Sequence, residues 1–305
     1  MSLNRASQVI LVTGASTGFG NLMAKALAKN QHIVYAGMYS HDGSTAPYEK
    51  DCSSFAKQHS ADLRTVGLDL TKTGSTQGAV DTILAQAGHL DTVIHNAGHM
   101  SYGPSEAFTP EQLTRLYEIN VVGAHRLNLA ILPHWRKARK GHLIWISSSS
   151  VAGGKSPMLG PYFAAKSAMD TLAVVQATEL NPWGIETTII SPGVFTKGTN
   201  HFIDASKPGY PAIADEYEAS DAPSKGIGEE TMAGTAGVVP EDADPSMVAD
   251  AVVDLANKPR GQKPLRMVVD TAGDGSEEGY QALDRSRDLF YKKLGLEKYL
   301  NVRLN

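Results

Sequence analysis

The sequence contains very little cysteine, and this limits the covalent and metal chemistry open to it. Cys52 is the single cysteine among 305 residues, so neither an internal disulfide nor a cysteine-based zinc site can form within one chain. One thiol in a chain of this length is typical of a reducing compartment. We interpret Cys52 as a surface thiol and expect the protein to be cytoplasmic.

The sequence also lacks an excess of either charge and any long apolar run. Lys and Arg number 28 against 32 Asp and Glu, which leaves a net charge of −4 and argues against a nucleic-acid partner. The first apolar run, residues 9–12, is too short for a signal peptide or a membrane span, which needs about 20 residues. We therefore predict neither a nucleic-acid nor a membrane partner. The hydrophobic content of 42% suits a soluble chain with a large core.

Strand and helix patterns alternate along most of the chain. Regular alternation of this kind is typical of a parallel sheet with helices on both faces. The predicted fold is therefore α/β, a doubly wound three-layer sheet of Rossmann type that forms one domain over residues 1–305. The predicted strands cover 9–12, 32–37, 63–68, 92–95, 142–146, 185–190 and 265–269, and the predicted helices cover 21–29, 48–59, 76–87, 110–139, 161–180, 247–257 and 276–294.

The alternation breaks after the sixth strand, where a long polar connection begins. Residues 196–245 are rich in Gly, Pro, Ala and acidic side chains, and such connections often close over a ligand. We predict a substrate lid here. Residues 271–305 form a C-terminal extension with an amphipathic helix, whose apolar side chains Tyr280, Leu283, Phe290 and Leu294 fall near one face.

A glycine-rich loop joins the first predicted strand to the first helix. It reads Thr13-Gly14-Ala15-Ser16-Thr17-Gly18-Phe19-Gly20. Gly14 permits a tight turn, Gly18 lets the backbone approach a pyrophosphate, and Gly20 allows close packing of helix on strand. The free N–H groups of the following helix would point at the phosphates. The position of the loop at the start of a βαβ series favours nucleotide binding over an ordinary glycine turn.

Further motifs agree with this loop, and together they resemble the short-chain dehydrogenase/reductase family. The resemblance is to the branch with a T-G-x-x-x-G-x-G loop and a Y-x-x-x-K motif, and it covers residues 9–194. Its motifs are Asp69 after the third strand, Asn96-Ala97-Gly98 after the fourth, the series Asn120, Ser149, Tyr162 and Lys166 in the family's order, and Pro192-Gly193 after the sixth.

The resemblance implies a catalytic role for each member of that series. Tyr162 and Lys166 are four residues apart, so they share one helix face, and an ammonium there would lower the tyrosine pKa from about 10. Tyr162 would act as general acid or base, Lys166 would also hold the nicotinamide ribose, and Ser149 would polarise the substrate carbonyl. Asn120 would hold a water that relays protons, although a mid-helix Asn can also bond its own backbone.

The choice of serine within this series depends on spacing alone. Four serines run from Ser147 to Ser150, and Ser149 lies 13 residues before Tyr162, the separation usual in the family. Ser148 therefore stays open as a second candidate for the active site.

The implied activity is hydride transfer between a nicotinamide cofactor and a small ketone or secondary alcohol. A cofactor-binding regulator without turnover and a carbon–carbon double-bond reductase are the alternatives. The substrate itself stays open. The residues expected to contact the cofactor are Gly14, Ser16, Thr17, Gly18, Phe19, Gly20, Tyr39, Ser40, His41, Asp69, Leu70, Asn96, Ala97, Gly98, Tyr162, Lys166, Pro192, Gly193, Val194 and Thr196.

The end of the second strand bears on the choice between NAD and NADP. Enzymes that prefer NAD usually carry an acid there, and Met38 occupies that position. Tyr39 stands where the family's NADP-type arginine would fall. Ser40 and His41 could bond a 2′-phosphate, or they could be a solvated loop. We favour NADP because the repelling carboxylate is missing, and NAD remains the alternative.

The ten histidines do not form a recognisable metal motif. His95 and His99 are four residues apart, but His95 lies in or near a strand, so we predict no catalytic metal. In the family, helices equivalent to 110–139 and 161–180 pair across a two-fold axis, and the second is rich in small side chains here. The resemblance therefore implies a homodimer or a homotetramer.

Overall fold

Seven parallel strands form the centre of the protein. The structure is a computed structural model that describes residues 7–39, 45–199 and 202–304. Within these ranges the strands are β1 (Val9–Thr13), β2 (Ile33–Met38), β3 (Leu63–Gly67), β4 (Thr92–His95), β5 (Gly141–Ile146), β6 (Ile185–Pro192) and β7 (Arg266–Val269). They lie in the order β3-β2-β1-β4-β5-β6-β7. The order reverses between β1 and β4, where an open α/β sheet leaves a crevice.

Helices cover both faces of the sheet, as the alternation predicts. The α-helices are α1 (Gly18–Lys29), α2 (Ala46–His59), α3 (Thr73–Ala87), α4 (Pro110–Tyr117), α5 (Gly123–Ala138), α6 (Gly160–Leu180), α7 (Pro211–Tyr217), α8 (Ile227–Gly237), α9 (Ser246–Ala256) and α10 (Ser276–Leu294). Successive residues of β1 face opposite layers: Val9 and Leu11 pack on one side, and Ile10 and Val12 pack on the other. Because both of its faces are buried, β1 is an almost continuous apolar run. The predicted Rossmann-type α/β fold is confirmed.

The predicted helix over 110–139 is wrong in one respect, because it is interrupted near its middle. Thr109 caps α4 through a reciprocal bond pair with Gln112, but residues Glu118–Val122 form a π-helical turn before α5 begins. The Asn120 side chain donates to the backbone oxygen of Leu116 at 2.9 Å. A side chain that takes an i−4 carbonyl competes with the backbone ladder, which is one way to widen a helical turn.

The connection over 196–245 contains more regular structure than its composition predicts. Helices α7 and α8 lie within it, and Ser206 forms an isolated parallel bridge with Ser101. The structure describes both helices completely, and neither of them has a buried residue. Since helix prediction from sequence depends on an apolar face directed to the core, these helices lack the pattern that would reveal them.

The terminal helix α10 has the predicted bounds, and the four side chains of its apolar face differ in burial. Tyr280 is buried, whereas Leu283, Phe290 and Leu294 are at least half exposed. Its apolar face is therefore attached to the rest of the chain near one end only. Among the described residues, no helix has the length and apolar character needed to span a membrane.

The interpretation of Cys52 as a surface thiol is wrong. Its side chain lies on the inner face of α2 and is 1% exposed. It packs in the core layer that also contains Met23, Ala24 and Val34. Burial raises the pKa of the thiol, with a smaller contribution from nearby Asp51, so it behaves as a small apolar side chain.

We therefore expect Cys52 to be protected from thiol reagents in the folded protein. Since it is the single thiol of the chain, a chromogenic thiol reagent reports on it alone. The native protein should react at least about 100-fold more slowly than the denatured protein, because reaction requires local opening. The Cys52→Ser variant supplies the blank, and rapid stoichiometric labelling in native buffer would contradict the buried placement.

Candidate functional site

A large cavity opens at the carboxyl ends of the central strands. Its volume is about 1150 Å³, which exceeds the roughly 300–1,000 Å³ typical of a single small-ligand pocket. It extends from the glycine-rich loop after β1, past the ends of β4 and β5, to the segment after β6. This is the edge of an open α/β sheet where ligands bind.

The glycine-rich loop is folded tightly against the turn that follows β4. Gly14 has a φ of +63°, and a Cβ on it would lie 2.8 Å from the Cα of Ala97. A Cβ on Gly20 would lie 2.2 Å from the backbone oxygen of Gly14. The Thr13 hydroxyl accepts from the backbone nitrogens of Asn96 and Ala97, at 3.0 and 2.9 Å. The two loops therefore form one rigid wall.

The residues of this wall fit a dinucleotide. Gly18 has a φ of +54° and begins α1, and among the described residues a Cβ on it would meet only Thr199, at 3.9 Å. The cavity therefore reaches the backbone at the N-terminus of a helix, where N–H groups and the helix dipole favour phosphate. Tyr39 and Asp69 also line the cavity.

Tyr162 and Lys166 lie side by side on α6 and both are buried. The Lys166 Nζ is 5.9 Å from the centre of the Tyr162 ring and donates to the backbone oxygen of Ile146 at 2.9 Å. Burial lowers the pKa of Lys166 to about 8, and the carboxylate of Asp170 opposes that shift. Burial raises the pKa of Tyr162, and a hydrogen bond with the Ser148 side chain acts in the opposite direction.

The serine run after β5 directs its hydroxyls to different partners. Ser147 donates to Asp170 at 2.8 Å, Ser148 bonds Tyr162 and Ser150, and Ser149 bonds the carboxylate of Asp274. A short 3-10 turn over Ser149–Val151 follows the strand, so spacing along the sequence does not report which side chain faces the cavity centre. The structure brings Ser148, rather than the predicted Ser149, to Tyr162.

Asn120 lies behind the cavity wall and joins two backbone segments. Its Oδ1 accepts from the backbone nitrogen of His99, and its Nδ2 donates to the backbone oxygen of His99, both at 3.0 Å. The amide also reaches Leu116, as described above. Asn120 therefore bonds its own helix, as one of the two interpretations expects, and it also fixes the loop after β4 that borders the cavity. The water relay stays a prediction.

Most predicted cofactor residues border the cavity. Gly20 and Thr196 do not line it, and Ser40 and His41 lie outside the described residues. Ser148, the second candidate within the serine run, also lines the cavity. Sequence analysis missed several other lining residues, which come from distant segments or exposed positions and show no local pattern that could have revealed them. The predicted residues that line the cavity are Gly14, Ser16, Thr17, Gly18, Phe19, Tyr39, Asp69, Leu70, Asn96, Ala97, Gly98, Ser149, Tyr162, Lys166, Pro192, Gly193 and Val194, and those missed include Arg115, Lys155, Phe202, Ser206 and Asp274.

The end of the cavity beyond Tyr162 is apolar and aromatic. Met100, Leu159 and Tyr162 form a separate buried cluster. Partly buried aromatic and aliphatic side chains pack against it: Tyr102, Phe163, Phe202 and Ala205. Helix α8 lies near this end, because the Tyr102 hydroxyl donates to the backbone oxygen of Gly228 at 2.6 Å and Thr235 lines the cavity.

The buried histidine near the cavity belongs to the core. His95 Nε2 bonds the Asn128 side chain at 2.8 Å, and its ring stacks on Trp145. Burial lowers the pKa of His95 to about 4, so the ring is neutral at physiological pH. In the part of the chain that the structure describes, no three His, Cys, Asp or Glu side chains converge as a metal site would require.

Sequence comparison relates the chain to known oxidoreductases. Residues 8–207 match the family described as short chain dehydrogenase. A 3-ketodihydrosphingosine reductase of Bacteroides thetaiotaomicron is 33% identical over 191 residues, which cover 63% of this chain and 65% of that protein. A cyclopentanol dehydrogenase of a Comamonas species is 32% identical over 200 residues, covering 65% of this chain and 77% of the relative.

Solved structures share the fold along nearly the whole chain. A short-chain dehydrogenase from Streptomyces avermitilis superposes with a TM-score of 0.72 at 24% identity, covering 96% of this chain and 98% of that one. A gluconate 5-dehydrogenase from Burkholderia cenocepacia, solved with NADP and tartrate, gives a TM-score of 0.68 at 20% identity, covering 90% and 97%. At these identities the likeness concerns the fold.

Proposed function

Because the chain belongs to the short-chain dehydrogenase family, we propose that it transfers a hydride between a bound nicotinamide cofactor and a ketone or secondary alcohol. The observation that carries this proposal is the group formed by buried Tyr162 and Lys166 with partly buried Ser148, in a cavity that is also lined by the glycine-rich loop. A site that only bound a nucleotide would not need a buried tyrosine and lysine beside each other.

The residues around the cavity suit a nicotinamide dinucleotide along its full length. The glycine loop would hold the pyrophosphate, Tyr39 and Asp69 would border the adenosine, and Lys166 would reach the nicotinamide ribose. When bound, the cofactor would supply or accept the hydride. The segment Pro192–Val194, which lines the cavity at the end of β6, would hold the nicotinamide against the substrate.

Tyr162 would handle the proton of the reaction. In reduction it would donate its hydroxyl proton to the developing alkoxide, and in oxidation its phenolate would accept the alcohol proton. Burial opposes the phenolate, so the groups that favour this ion matter: the Lys166 ammonium and the Ser148 hydroxyl. With a pKa near 8, Lys166 can carry its charge at neutral pH and can also exchange a proton.

Ser148 would orient the substrate carbonyl through a hydrogen bond that strengthens as negative charge develops on oxygen. Asn120 would act through position: it holds His99 and therefore the loop beside Lys166. The apolar cluster of Met100, Leu159 and Phe202 favours a substrate whose carbonyl carries a cyclic or aliphatic group. The segment over 196–245, with α8 against Tyr102, would cover that group.

Three substitutions distinguish these roles. Tyr162→Phe should lower kcat by about 10³-fold with little change in cofactor Kd, because the ring stays and only the transferable proton is lost.

Ser148→Ala should lower kcat by about 10²-fold. Ser149→Ala should lower it by at most about fivefold, because the Ser149 hydroxyl bonds Asp274 instead. Oxidation of the reduced cofactor, followed by absorbance with a panel of cyclic, aliphatic and charged ketones, measures each rate. Cofactor binding without turnover of any ketone, or a larger loss in Ser149→Ala than in Ser148→Ala, would contradict the assignment.

The cofactor preference depends on the residues that follow β2. Met38, at the position of the NAD-type acid, is buried in the core, whereas Tyr39 is 47% exposed and lines the cavity. A carboxylate that would repel a 2′-phosphate is thus missing from both of these positions. We infer a preference for NADPH over NADH, with Ser40 and His41 retained as sequence-based candidates for the phosphate.

Tyr39→Asp should reverse this preference. A carboxylate at the cavity surface would repel the 2′-phosphate and could accept bonds from the ribose hydroxyls of NADH. The ratio of kcat/KM for NADPH to that for NADH should fall by at least about tenfold, while Tyr39→Phe should preserve it. A wild-type enzyme that prefers NADH at every pH would refute the inference.

The helices beside the site present an apolar surface suited to self-association. Leu129 is 61% exposed, and the other members of this surface are Leu113, Tyr117, Val122 and Val175, on α4, α5, α6 and the turn between the first two. Exposed apolar side chains that cluster on neighbouring elements often mark an interface. We propose that two copies of the chain pair through this surface.

Leu129→Glu should dissociate this assembly by placing a charge in the interface. Light scattering at micromolar concentration should give at least twice the chain mass of 32.5 kDa for the wild type and a single chain mass for the variant. Leu289→Glu is the matched control, because Leu289 is 63% exposed but lies on α10. A monomeric wild type, or equal effects of the two substitutions, would overturn the proposal.

A further inference from the structure

The C-terminal extension is attached to the loop that carries the catalytic serine. We call residues 147–154 the serine loop. Within α10, Ser276 and Tyr280 are the buried residues, and Tyr280 is 1% exposed. Its hydroxyl donates to the backbone oxygen of Ser148 at 2.7 Å. The terminal helix therefore holds, by its backbone, the same residue whose side chain reaches Tyr162.

A second set of contacts fixes the other end of the serine loop. The Asp274 carboxylate bonds the Ser149 hydroxyl, and the Gly154 nitrogen donates to the backbone oxygen of Asp274 at 3.3 Å. Asp274 is itself held by the backbone nitrogen of Ser276 at 2.9 Å. Gly279 packs directly on the loop, since a Cβ there would lie 2.4 Å from the backbone oxygen of Ala152.

A buried ion pair supports Tyr280 from the opposite side. The Arg266 guanidinium lies 3.9 Å from the centre of the Tyr280 ring and bonds both oxygens of Asp170, at 2.8 and 3.1 Å. Oδ1 of Asp170, which accepts the 2.8 Å bond from Arg266, also accepts from the Ser147 hydroxyl at 2.8 Å. Ser147 and Ser148 are thus held at two points by one connected group of side chains from α6, β7 and α10.

The use of a tyrosine at this position is informative. A phenylalanine could pack on Arg266 and anchor the helix equally well, but only a hydroxyl can bond the backbone oxygen of Ser148. Burial, followed by the Asp170 charge, raises the pKa of Tyr280 to about 12, so the hydroxyl keeps its proton and remains a donor. These contacts come from residues beyond 207, where the match to the family ends.

We propose that Tyr280, with Asp274, is a positioning residue that sets the Ser148 hydroxyl against Tyr162 and so adjusts proton transfer in the active site. The inference rests on the proposed oxidoreductase function. Since the Ser148 bond favours the Tyr162 phenolate, a displaced Ser148 leaves Tyr162 harder to ionise. Alcohol oxidation, which needs the phenolate as base, then requires a higher pH.

The test is Tyr280→Phe, which keeps the ring on Arg266 and removes only the hydroxyl. The matched control is Tyr291→Phe on the same helix, eleven residues or about 16 Å further along its axis. The readouts are the cofactor Kd, the pH profile of kcat for alcohol oxidation per cofactor-binding site, and hydrogen exchange of the serine loop amides measured by mass spectrometry.

In Tyr280→Phe, kcat at pH 7 should fall about tenfold, and the rising limb of its pH profile should move upward by about half a pH unit or more. Cofactor Kd should stay within about twofold, and the serine loop amides should exchange faster. Tyr291→Phe should match the wild type in every readout. A purely structural loss would reduce the number of active molecules but would not move the pH profile.

An unchanged pH profile of kcat in Tyr280→Phe would overturn the proposal, whether or not exchange of the serine loop amides changes. If the wild type turns over no alcohol or ketone, the proposed function fails. Hydrogen exchange alone then decides whether Tyr280 holds the serine loop. Faster exchange confined to the serine loop in Tyr280→Phe would support it. Equal exchange in Tyr280→Phe, Tyr291→Phe and wild type would refute it.

Discussion

A buried ammonium at the carboxyl end of β5 constrains much of this structure. Lys166 is almost completely removed from water, and an unpaired charge in such a place is costly. The backbone oxygen of Ile146 accepts from it, and the carboxylate of Asp170 lies one turn along the same helix. The position of the ammonium therefore depends on both the end of a strand and the face of a helix, and Tyr162 lies one turn before Lys166 on that helix.

The carboxylate of Asp170 is a second buried charge, and it also needs partners. It is satisfied by Arg266 from β7 and by the hydroxyl of Ser147. A buried ion pair contributes little net stability once its desolvation is counted, but breaking one partner is expensive. Its value here lies in geometry: it ties the last strand of the sheet, the serine loop and Tyr280 of α10 into one connected group around the site.

The two ends of the cavity differ in whether main-chain or side-chain atoms form the wall. At the glycine-rich loop much of the wall is backbone, because residues without a side chain leave main-chain groups at the cavity surface. At the other end the wall is aromatic and aliphatic side chains from segments far apart in sequence. The first kind of wall recognises a ligand through main-chain groups, and the second through the shape of its side chains.

The local features of this chain could be predicted from sequence because each depends on neighbouring residues. The alternating apolar runs, the glycine loop and the spacing of Tyr162 and Lys166 on one helix face are of this kind, since helix and strand periods act over a few residues. Burial and partner choice depend on the whole fold. Only the tertiary structure decided that Cys52 is buried, that Ser148 faces Tyr162 while Ser149 turns to Asp274, and that α8, a helix without a buried side chain, lies beside the aromatic end of the cavity. The physical reason is that these outcomes depend on how separate elements pack against one another: Ser149 lies 125 residues before Asp274, and Tyr102 lies 126 residues before Gly228. No local pattern records which of these segments meet.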